Sequence, residues 1–385
     1  MATIEFQSKL VDTPQTLDVN NSVTTFIGGN GSGKSSILEA IFKKYLDHDD
    51  YRVICFSSGQ NELFSELFNE HKKTNRRYLR ERGEPIKSFY FNTQWTRLLI
   101  FWASTFKKDG LVRKYLTDNN YIETNSLKED VSSRLEFRFR IKKYYASLIK
   151  KEIEQEELGT NDKENEGYEF QENLLRNTEF HQTLEKIIDS FQINFDFQNN
   201  DNLIKRWLTF DSRKAFQVFT HKDINKLFSF WALATNGWLS NSELFEFKLK
   251  FKNGIEFKQL SDGEYQILST YALIDLFDGP ETIFLFDEID SHLYFQNLKK
   301  LWNQLNNCQS TVITTTHISD SILQNNIENI KLIEDGKIKD DLTFTELSKR
   351  LSEIVGHKKY QFDILSRIKF PVLIDHINDW TIFKI

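Results

Sequence analysis

Four short runs contain the residues that could do chemistry. The first is Gly28-x-x-x-x-Gly33-Lys34-Ser35, inside TTFIGGNGSGKSSILEAIF from Thr24 to Phe42. Gly28, Gly31 and Gly33 let the backbone turn so that successive N–H groups face phosphate oxygens. The whole loop, Gly28, Asn30, Gly31, Ser32, Gly33, Lys34, Ser35 and Ser36, is the candidate nucleotide-binding segment. Lys34 would reach the β- and γ-phosphates, and the Ser35 hydroxyl would ligate Mg²⁺. The second run is IFLFDE, ending in Asp287 and Glu288. Asp287 is suited to hold the shell of a magnesium ion and Glu288 to polarise an attacking water. The third is STVITTTHISD, which brings His317 to the end of an apolar stretch, and the fourth is QLSDGE, from Gln259.

The elements that must position these residues are legible around them. Val23–Ile27 is β-rich and precedes the glycine loop, and Ile37, Leu38, Ile41 and Phe42 follow at helical spacing. That is the strand–loop–helix context a phosphate loop requires, with the positive helix end near Lys34 adding to the cradle. Ile283–Phe286 reads as a buried parallel strand, which puts Asp287 and Glu288 at its carboxyl end, where open α/β sheets bind ligands. The threonine-rich run ending at His317 reads as another. Ser261 is a good N-cap for a helix through Tyr265, Leu268, Tyr271, Ala272 and Leu276, with Glu264 completing a capping box. Gly263 is poorly placed for helix stability, and makes sense if something approaches the backbone closely.

At 385 residues, 39% hydrophobic and 28% charged, the chain is globular in composition. A formal charge of −6 argues against a wholly basic nucleic-acid coat. Cys55 and Cys308 are too few for a zinc site or a disulfide framework, and are read as buried thiols of a reducing cytoplasm. The start, MATIEFQSKL, has no signal pattern, and the longest strongly apolar run, Leu98–Ala103, is far short of the roughly 20 residues of a membrane span. The expectation is a soluble cytoplasmic protein without a membrane partner, its 34 phenylalanines and seven tryptophans serving mainly as core.

Taken in order, Gly28–Ser35, LSDGE, IFLFDE, IDSHL and TTTH resemble the motifs of ABC-type ATPases: Walker A, signature, Walker B, D-loop and switch histidine. The resemblance implies ATP with Mg²⁺ as ligands and a head-to-tail dimer or higher homo-oligomer. In it, Ser261 and Gly263 of one subunit close over the γ-phosphate held by the other. It further implies that His317 senses that phosphate, that Asp290 belongs to the D-loop at the nucleotide, and that a glutamine lines the site near the metal. Gln60, in VICFSSGQNELFS, is the chosen glutamine and Gln94, in YFNTQW, the runner-up. DEIDSHLYF is similar to the DEP-x-x-HLHP run of OLD-family and related SMC-like ATPases, departing at Ile289, Tyr294 and Phe295. Asp262 and Glu264 depart from the signature of transporters. The resemblance therefore points to the stand-alone OLD/SMC-like branch and implies an ATPase subunit of a bacterial anti-phage system, with a separately encoded effector. An SMC-like DNA-repair or DNA-clamping ATPase is the alternative.

The division expected is an N-terminal lobe over 1–75, a mainly helical insertion over 76–240, a C-terminal lobe over 241–340 and an extension over 341–385. In the insertion, helical patterns run through Leu135, Phe139, Tyr144 and Leu148, and through Leu174, Leu175, Leu184, Ile187 and Ile188. Between them, Lys151–Glu172 is acidic, polar and read as an exposed loop. Basic runs from His71 and Arg138 are either solvated helix faces or a phosphate-contacting surface for nucleic acid. FEFKLKFKNGIEFKQL reads as a hairpin about Asn253-Gly254, and LIEDGKI as the last hairpin of the core. In the extension, Asp375, His376 and Asp379 carry a short likeness to the start of a TOPRIM nuclease, too little for a complete site. Nuclease activity is therefore expected on another polypeptide.

Overall fold

The apolar runs that carry the candidate motifs become neighbours in one sheet, although they lie far apart in the chain. The structure, a computed structural model, describes residues 2–19, 23–58, 62–77, 79, 83–122, 137–139, 143–159, 177–190, 208–210, 212–220, 222, 224–234, 257–291, 293–322, 324–325 and 329–339. Its strands are β1 (Ala2–Phe6), β2 (Gln15–Val19), β3 (Val23–Ile27), β4 (Arg52–Ser57), β5 (Phe89–Phe91), β6 (Phe137–Phe139), β7 (Leu208–Phe210), β8 (Thr282–Asp287), β9 (Thr311–Thr315), β10 (Ile330–Glu334) and β11 (Lys337–Lys339). The helices are α1 (Lys34–Tyr45), α2 (Glu62–Arg77), α3 (Thr96–Phe106), α4 (Leu111–Asp118), α5 (Lys143–Gly159), α6 (Glu179–Asp189), α7 (Ser212–Val218), α8 (Ile224–Leu233), α9 (Asp262–Phe277), α10 (Phe295–Asn306) and α11 (Ser319–Ile322).

The main sheet has seven strands in the order β11-β10-β3-β9-β8-β4-β5. Every pairing is parallel except β10 with β11. Strands β3, β8 and β9 are almost wholly buried, which explains their continuous apolar or threonine sequences rather than an alternating pattern. Because β9 and β8 insert between β3 and β4, the carboxyl ends of these four strands form one rim. This is a mixed α/β P-loop architecture, as the sequence leads one to expect.

Helix α1 buries Ile37, Leu38, Ile41, Phe42 and Tyr45, the helical spacing of the sequence, and leaves its basic Lys43 and Lys44 in the last turn. At the other end of the sheet the aromatic surplus becomes core. Phe91, Phe228 and Phe277 meet with ring centroids 5.3–5.7 Å apart, joining β5, α8 and α9. Arg52 donates to the Phe277 carbonyl at 2.7 Å and lies over its ring, fastening the end of α9 to the start of β4.

Several expectations for the middle of the chain need correction. β5 and α3 lie within 76–240, yet β5 is paired to β4 in the main sheet, so an insertion beginning at 76 takes in part of the core. The helical pattern through Phe139 is broken, since Phe137–Phe139 is a strand paired with Leu208–Phe210 and helix begins only at Lys143. The period-two spacing of Phe137 and Phe139 is the signal that reading passed over. Helix α5 also runs to Gly159, into the segment read as a loop. Its Lys and Glu residues are strong helix formers, and Lys150 and Glu154 pair at 3.9 Å one turn apart. Cys55 is buried as expected, but Cys308 is only partly so. The hairpin about Asn253, the remainder of the acidic segment, Leu135, Leu174 and Leu175, Gln60, and residues Asp375, His376 and Asp379 with the whole extension lie outside the described residues.

The second hairpin forms as read. Asp335 and Gly336 both have positive φ, 50° and 75°, the two-residue turn that Asp-Gly favours. Gly336 donates its N–H to the Ser32 carbonyl at 2.8 Å, so this turn props the glycine loop from below. A Cβ on Gly336 would sit 2.6 Å from Leu10 Cβ. Gly336→Ala should therefore lose about 1–2 kcal/mol of unfolding free energy in urea, the cost of a left-handed alanine before any contact is counted. A variant as stable as the parent would contradict this packing.

Candidate functional site

The loop between β3 and α1 is built by backbone bonds. Ser32 N donates to Gly29 O at 3.2 Å, Gly336 N to Ser32 O at 2.8 Å, and Ile37 N opens the helix by donating to Gly33 O at 3.1 Å. Gly33 has φ 98°, and a Cβ there would fall 2.8 Å from Gly336 Cα, so glycine is required on both counts. Gly29, Asn30 and Gly31 are exposed at the loop's crest, Ser32 and Ser36 partly buried beside it.

Lys34 is 7% exposed, and its Nζ donates to the Gly28 and Gly29 carbonyls at 2.9 and 3.1 Å. Burial lowers its pKa, opposed by the carboxylates of Glu288 and Asp287. The cation is thus held inside a loop whose curvature suits an anion, with its bonds made to carbonyls that a phosphate can replace.

Asp287 ends β8 directly against this loop. Ser35 Oγ donates to Asp287 Oδ1 at 3.0 Å although the two are 252 residues apart in sequence. Thr315 Oγ1, at the end of β9, donates to the same oxygen at 2.7 Å. Among the described residues no three His, Cys, Asp or Glu side chains cluster as a metal site. A hydroxyl–carboxylate pair at this distance fits Mg²⁺, which takes one or two protein oxygens and fills its shell with phosphate and water. Ser35 and Asp287 are the residues that would hold it.

Glu288 follows β8 with φ 54°, one of three non-glycine residues in left-handed backbone among the described residues. Such a residue costs about 1–3 kcal/mol and persists where its surroundings fix it. Here hydroxyls fix it. Glu288 N donates to Thr315 Oγ1 at 3.0 Å, and its carbonyl accepts from Ser58 Oγ and Ser291 Oγ, each at 2.8 Å. The result turns the carboxylate off the strand direction toward His317, whose Nδ1 lies 3.4 Å from Glu288 Oε1. Both side chains are nearly half exposed, so a water can reach them. His317 stands two residues beyond the end of β9, slightly past the strand end that the sequence suggested.

The Asp290 side chain is 1% exposed, and one carboxylate oxygen accepts from Thr316 Oγ1, which in turn accepts from Ile318 N at 2.9 Å. It therefore holds the backbone on either side of His317. Asp290, expected at the nucleotide from its place in the D-loop, takes this supporting position within the single chain. His292 of the same run lies outside the described residues.

Ser261 caps α9 as read, with both arms of the capping box formed. Glu264 N donates to Ser261 Oγ at 3.4 Å, while Glu264 Oε2 accepts from Ser261 N at 2.9 Å. Gly263 follows in the first turn. Among the described residues, the hydrogen bonds of Ser261 stay within this cap and do not reach the glycine loop. Gln94 is exposed in a short turn after β5, and Tyr265 of α9 donates to the neighbouring Thr93 carbonyl at 3.3 Å. That turn follows the edge strand of the main sheet.

The hydroxyls of Ser58, Ser291, Thr315 and Thr316 were not among the expected site residues. For Ser58 the signal was FSSG at the end of β4, and for Thr315 and Thr316 the threonine triplet that closes β9.

A glycine loop between a buried strand and a helix, with an acidic pair at the end of a strand one removed across the sheet, defines a P-loop ATPase domain. A family model described as "AAA domain, putative AbiEii toxin, Type IV TA system" matches residues 23–323, and the chain belongs to that family. A segment is also similar to the DNA replication and repair protein RecF of Glaesserella parasuis serovar 5 (strain SH0165). The two are 39% identical over 59 residues, 14% of this chain and 16% of that protein, so the likeness spans a small part of either. The family places the chain among AAA-type ATPases. Among the described residues no helix is long and apolar enough to cross a membrane.

Two stability measurements test this geometry. Relief of a left-handed residue is worth about 1–2 kcal/mol, and glycine's unfolded-state freedom returns up to about 1 kcal/mol. Glu288→Gly should therefore be at least as stable as the parent in urea, and Glu288→Val clearly less stable. A large loss in Glu288→Gly would show that the site is unstrained. Asp290 has its pKa raised by burial, against the bonds from Ser321 and Thr316 and the nearby His317. The folded chain then keeps this proton to higher pH than the unfolded chain does, so the cost of ionising Asp290 grows as pH rises through and above the ordinary aspartate range. Asp290→Asn should gain stability relative to the parent over that rise, and a pH-independent difference would contradict the burial.

Proposed function

We propose that the chain is an ABC-type ATPase that binds ATP with Mg²⁺ on the loop 28–36 and hydrolyses it when two copies close head to tail. The observation that carries this reading is the meeting of Ser35 Oγ and Thr315 Oγ1 on Asp287 Oδ1, beside the Glu288–His317 pair. Lys34 exchanges its carbonyl partners for phosphate oxygens. Ser35 and Asp287 hold the metal, which when bound neutralises charge on the phosphates. Glu288 orients a water and accepts its proton, and His317, within reach of that carboxylate, keeps it turned to the γ-phosphate. Ser261 and Gly263 offer the positive end of α9 to the nucleotide of a second copy. Gln60 is the residue assigned to the gap near the metal.

For the biological role we favour the ATPase or sensor subunit of a bacterial anti-phage system, cytoplasmic and acting with a separately encoded nuclease or toxin. Support comes from the OLD-like run DEIDSHLYF and from a family description that speaks of a toxin and a TA system. The RecF-like segment supports a second reading, an SMC-like repair or clamping ATPase whose basic insertion contacts DNA.

Glu288→Gln should bind ATP as the parent does, lose about 10²–10⁴ in turnover, and accumulate as an ATP-bound dimer. Native mass spectrometry of that variant, purified from its host with ATP and Mg²⁺, reads dimer, nucleotide and companions at once. An effector at fixed stoichiometry supports the defence reading, and a dimer carrying only DNA the clamping one. Normal turnover would remove Glu288 from its role, and a strictly monomeric ATP complex would remove the head-to-tail dimer.

A further inference from the structure

The Ser261 hydroxyl is held by a carboxylate of its own helix, and that carboxylate is itself held from outside the helix. Ser261 Oγ donates to Glu264 Oε2 at 2.8 Å. The other oxygen of that carboxylate, Oε1, accepts from Tyr121 Oη at 2.6 Å, a short charge-assisted bond. Burial alone would raise the Glu264 pKa, but the bonds from Tyr121 and Ser261 outweigh it and lower the value. The partner oxygen responds in kind, with burial and Glu264 pushing Tyr121 up to about 12.

Tyr121 is placed firmly. Helix α4 ends in a Schellman turn, with Asn120 at φ 57°, Asn120 N donating to Thr117 O at 2.9 Å and Tyr121 N to Leu116 O at 2.8 Å. The other end of α4 is fixed to α9 as well. Asp275 accepts from Leu111 N at 2.8 Å and from Val112 N at 2.9 Å, capping α4 from the far end of the signature helix. Helix α4 therefore lies along α9 and is bonded to it at both ends, with Tyr121 arriving at the capping box.

We propose that Tyr121 is a positioning residue for the signature serine. It keeps the Glu264 carboxylate in the cap and draws off part of its charge, so that the Ser261 hydroxyl can leave Glu264 for a phosphate oxygen of the neighbouring copy. The proposal rests on the head-to-tail reading. Without the Tyr121 hydroxyl, Glu264 becomes a stronger acceptor and grips Ser261 more tightly. It also leaves a full negative charge next to the arriving γ-phosphate. A glutamine at 264 has neither effect, since its amide oxygen still accepts from Ser261 N and no charge remains. Transporter signatures carry glutamine at this position, so a chain with Glu264 has a need for Tyr121 that those chains lack.

The test is a double-mutant cycle in the Glu288→Gln background, with ATP- and Mg²⁺-dependent dimerisation read by analytical ultracentrifugation. ATP binding to the single chain is read at protein concentrations below dimerisation. Tyr121→Phe should weaken dimerisation about 10-fold, the scale of one hydrogen bond to a charged group, with single-chain ATP affinity unchanged. Once Glu264 is Gln, Tyr121→Phe should have no further effect. Additive losses, or a loss that follows melting temperature rather than the residue at 264, would reduce Tyr121 to a structural contact and overturn the proposal. If Tyr121→Phe does not fold, Glu264→Gln alone provides the reading, because it should strengthen dimerisation while leaving hydrogen exchange at the Ser261–Glu264 cap nearly unchanged. Unchanged dimerisation there would overturn the proposal. Failure of the Glu288→Gln background to dimerise at all would appear before Tyr121 is altered, and would strike down the head-to-tail reading and this proposal with it.

Discussion

One carboxylate oxygen, Asp287 Oδ1, receives Ser35 from the first turn of α1 and Thr315 from the end of β9. That shared acceptor depends on the strand order, which places β9 between β3 and β8 and so brings three distant segments to a common rim. A parallel sheet gives each strand's carboxyl end the same direction, and buried hydroxyls at those ends need partners. Thr315, which ends β9, satisfies that need on Asp287 and Glu288, and the following Thr316 does so on Asp290. What looks like a structural satisfaction of polar groups is thereby also the frame of the site.

Around this frame, stability is given up locally. Glu288 stands in left-handed backbone and Asp290 carries its carboxylate into the interior, each against an energetic preference. Both are held by hydroxyls, with His317 nearby. Hydroxyl clamps rotate and exchange partners easily, which suits a site that must admit a nucleotide and release its products. The glycine loop is treated differently. It is pinned by the Asp335-Gly336 turn, whose own conformation comes from sequence alone.

Much of this was legible in the sequence, because the phosphate loop, the acidic pair and the capping box are local patterns whose chemistry follows from residue type and spacing. Val23–Ile27 and the helix from Lys34 coincide with their elements for that reason, and Ser261 with its cap. The serine and threonine clamps were not legible, since a hydroxyl shows its partner only once strand order is known. Ser58 meets Glu288 across 230 residues, and no local pattern announces it. The bond from Thr316 to Asp290 was hidden for the same reason, since it too joins two distant segments. In the middle of the chain, Phe137–Phe139 was read as helix because three residues give too short a pattern to separate a strand from a helix.

The central claim is that one nucleotide site is assembled from the glycine loop of one copy and the capped helix of another. Mixing two inactive variants tests it most directly. Lys34→Ala removes the phosphate cradle and Gly263→Asp blocks the signature, so neither chain alone should turn over ATP. In a head-to-tail heterodimer of the two, both defects fall in one site and the second site is intact. Mixing should therefore restore a substantial fraction of ATPase activity, rising with the share of heterodimer. If the mixture stays inactive while heterodimers form, the site lies within a single chain and the account is wrong.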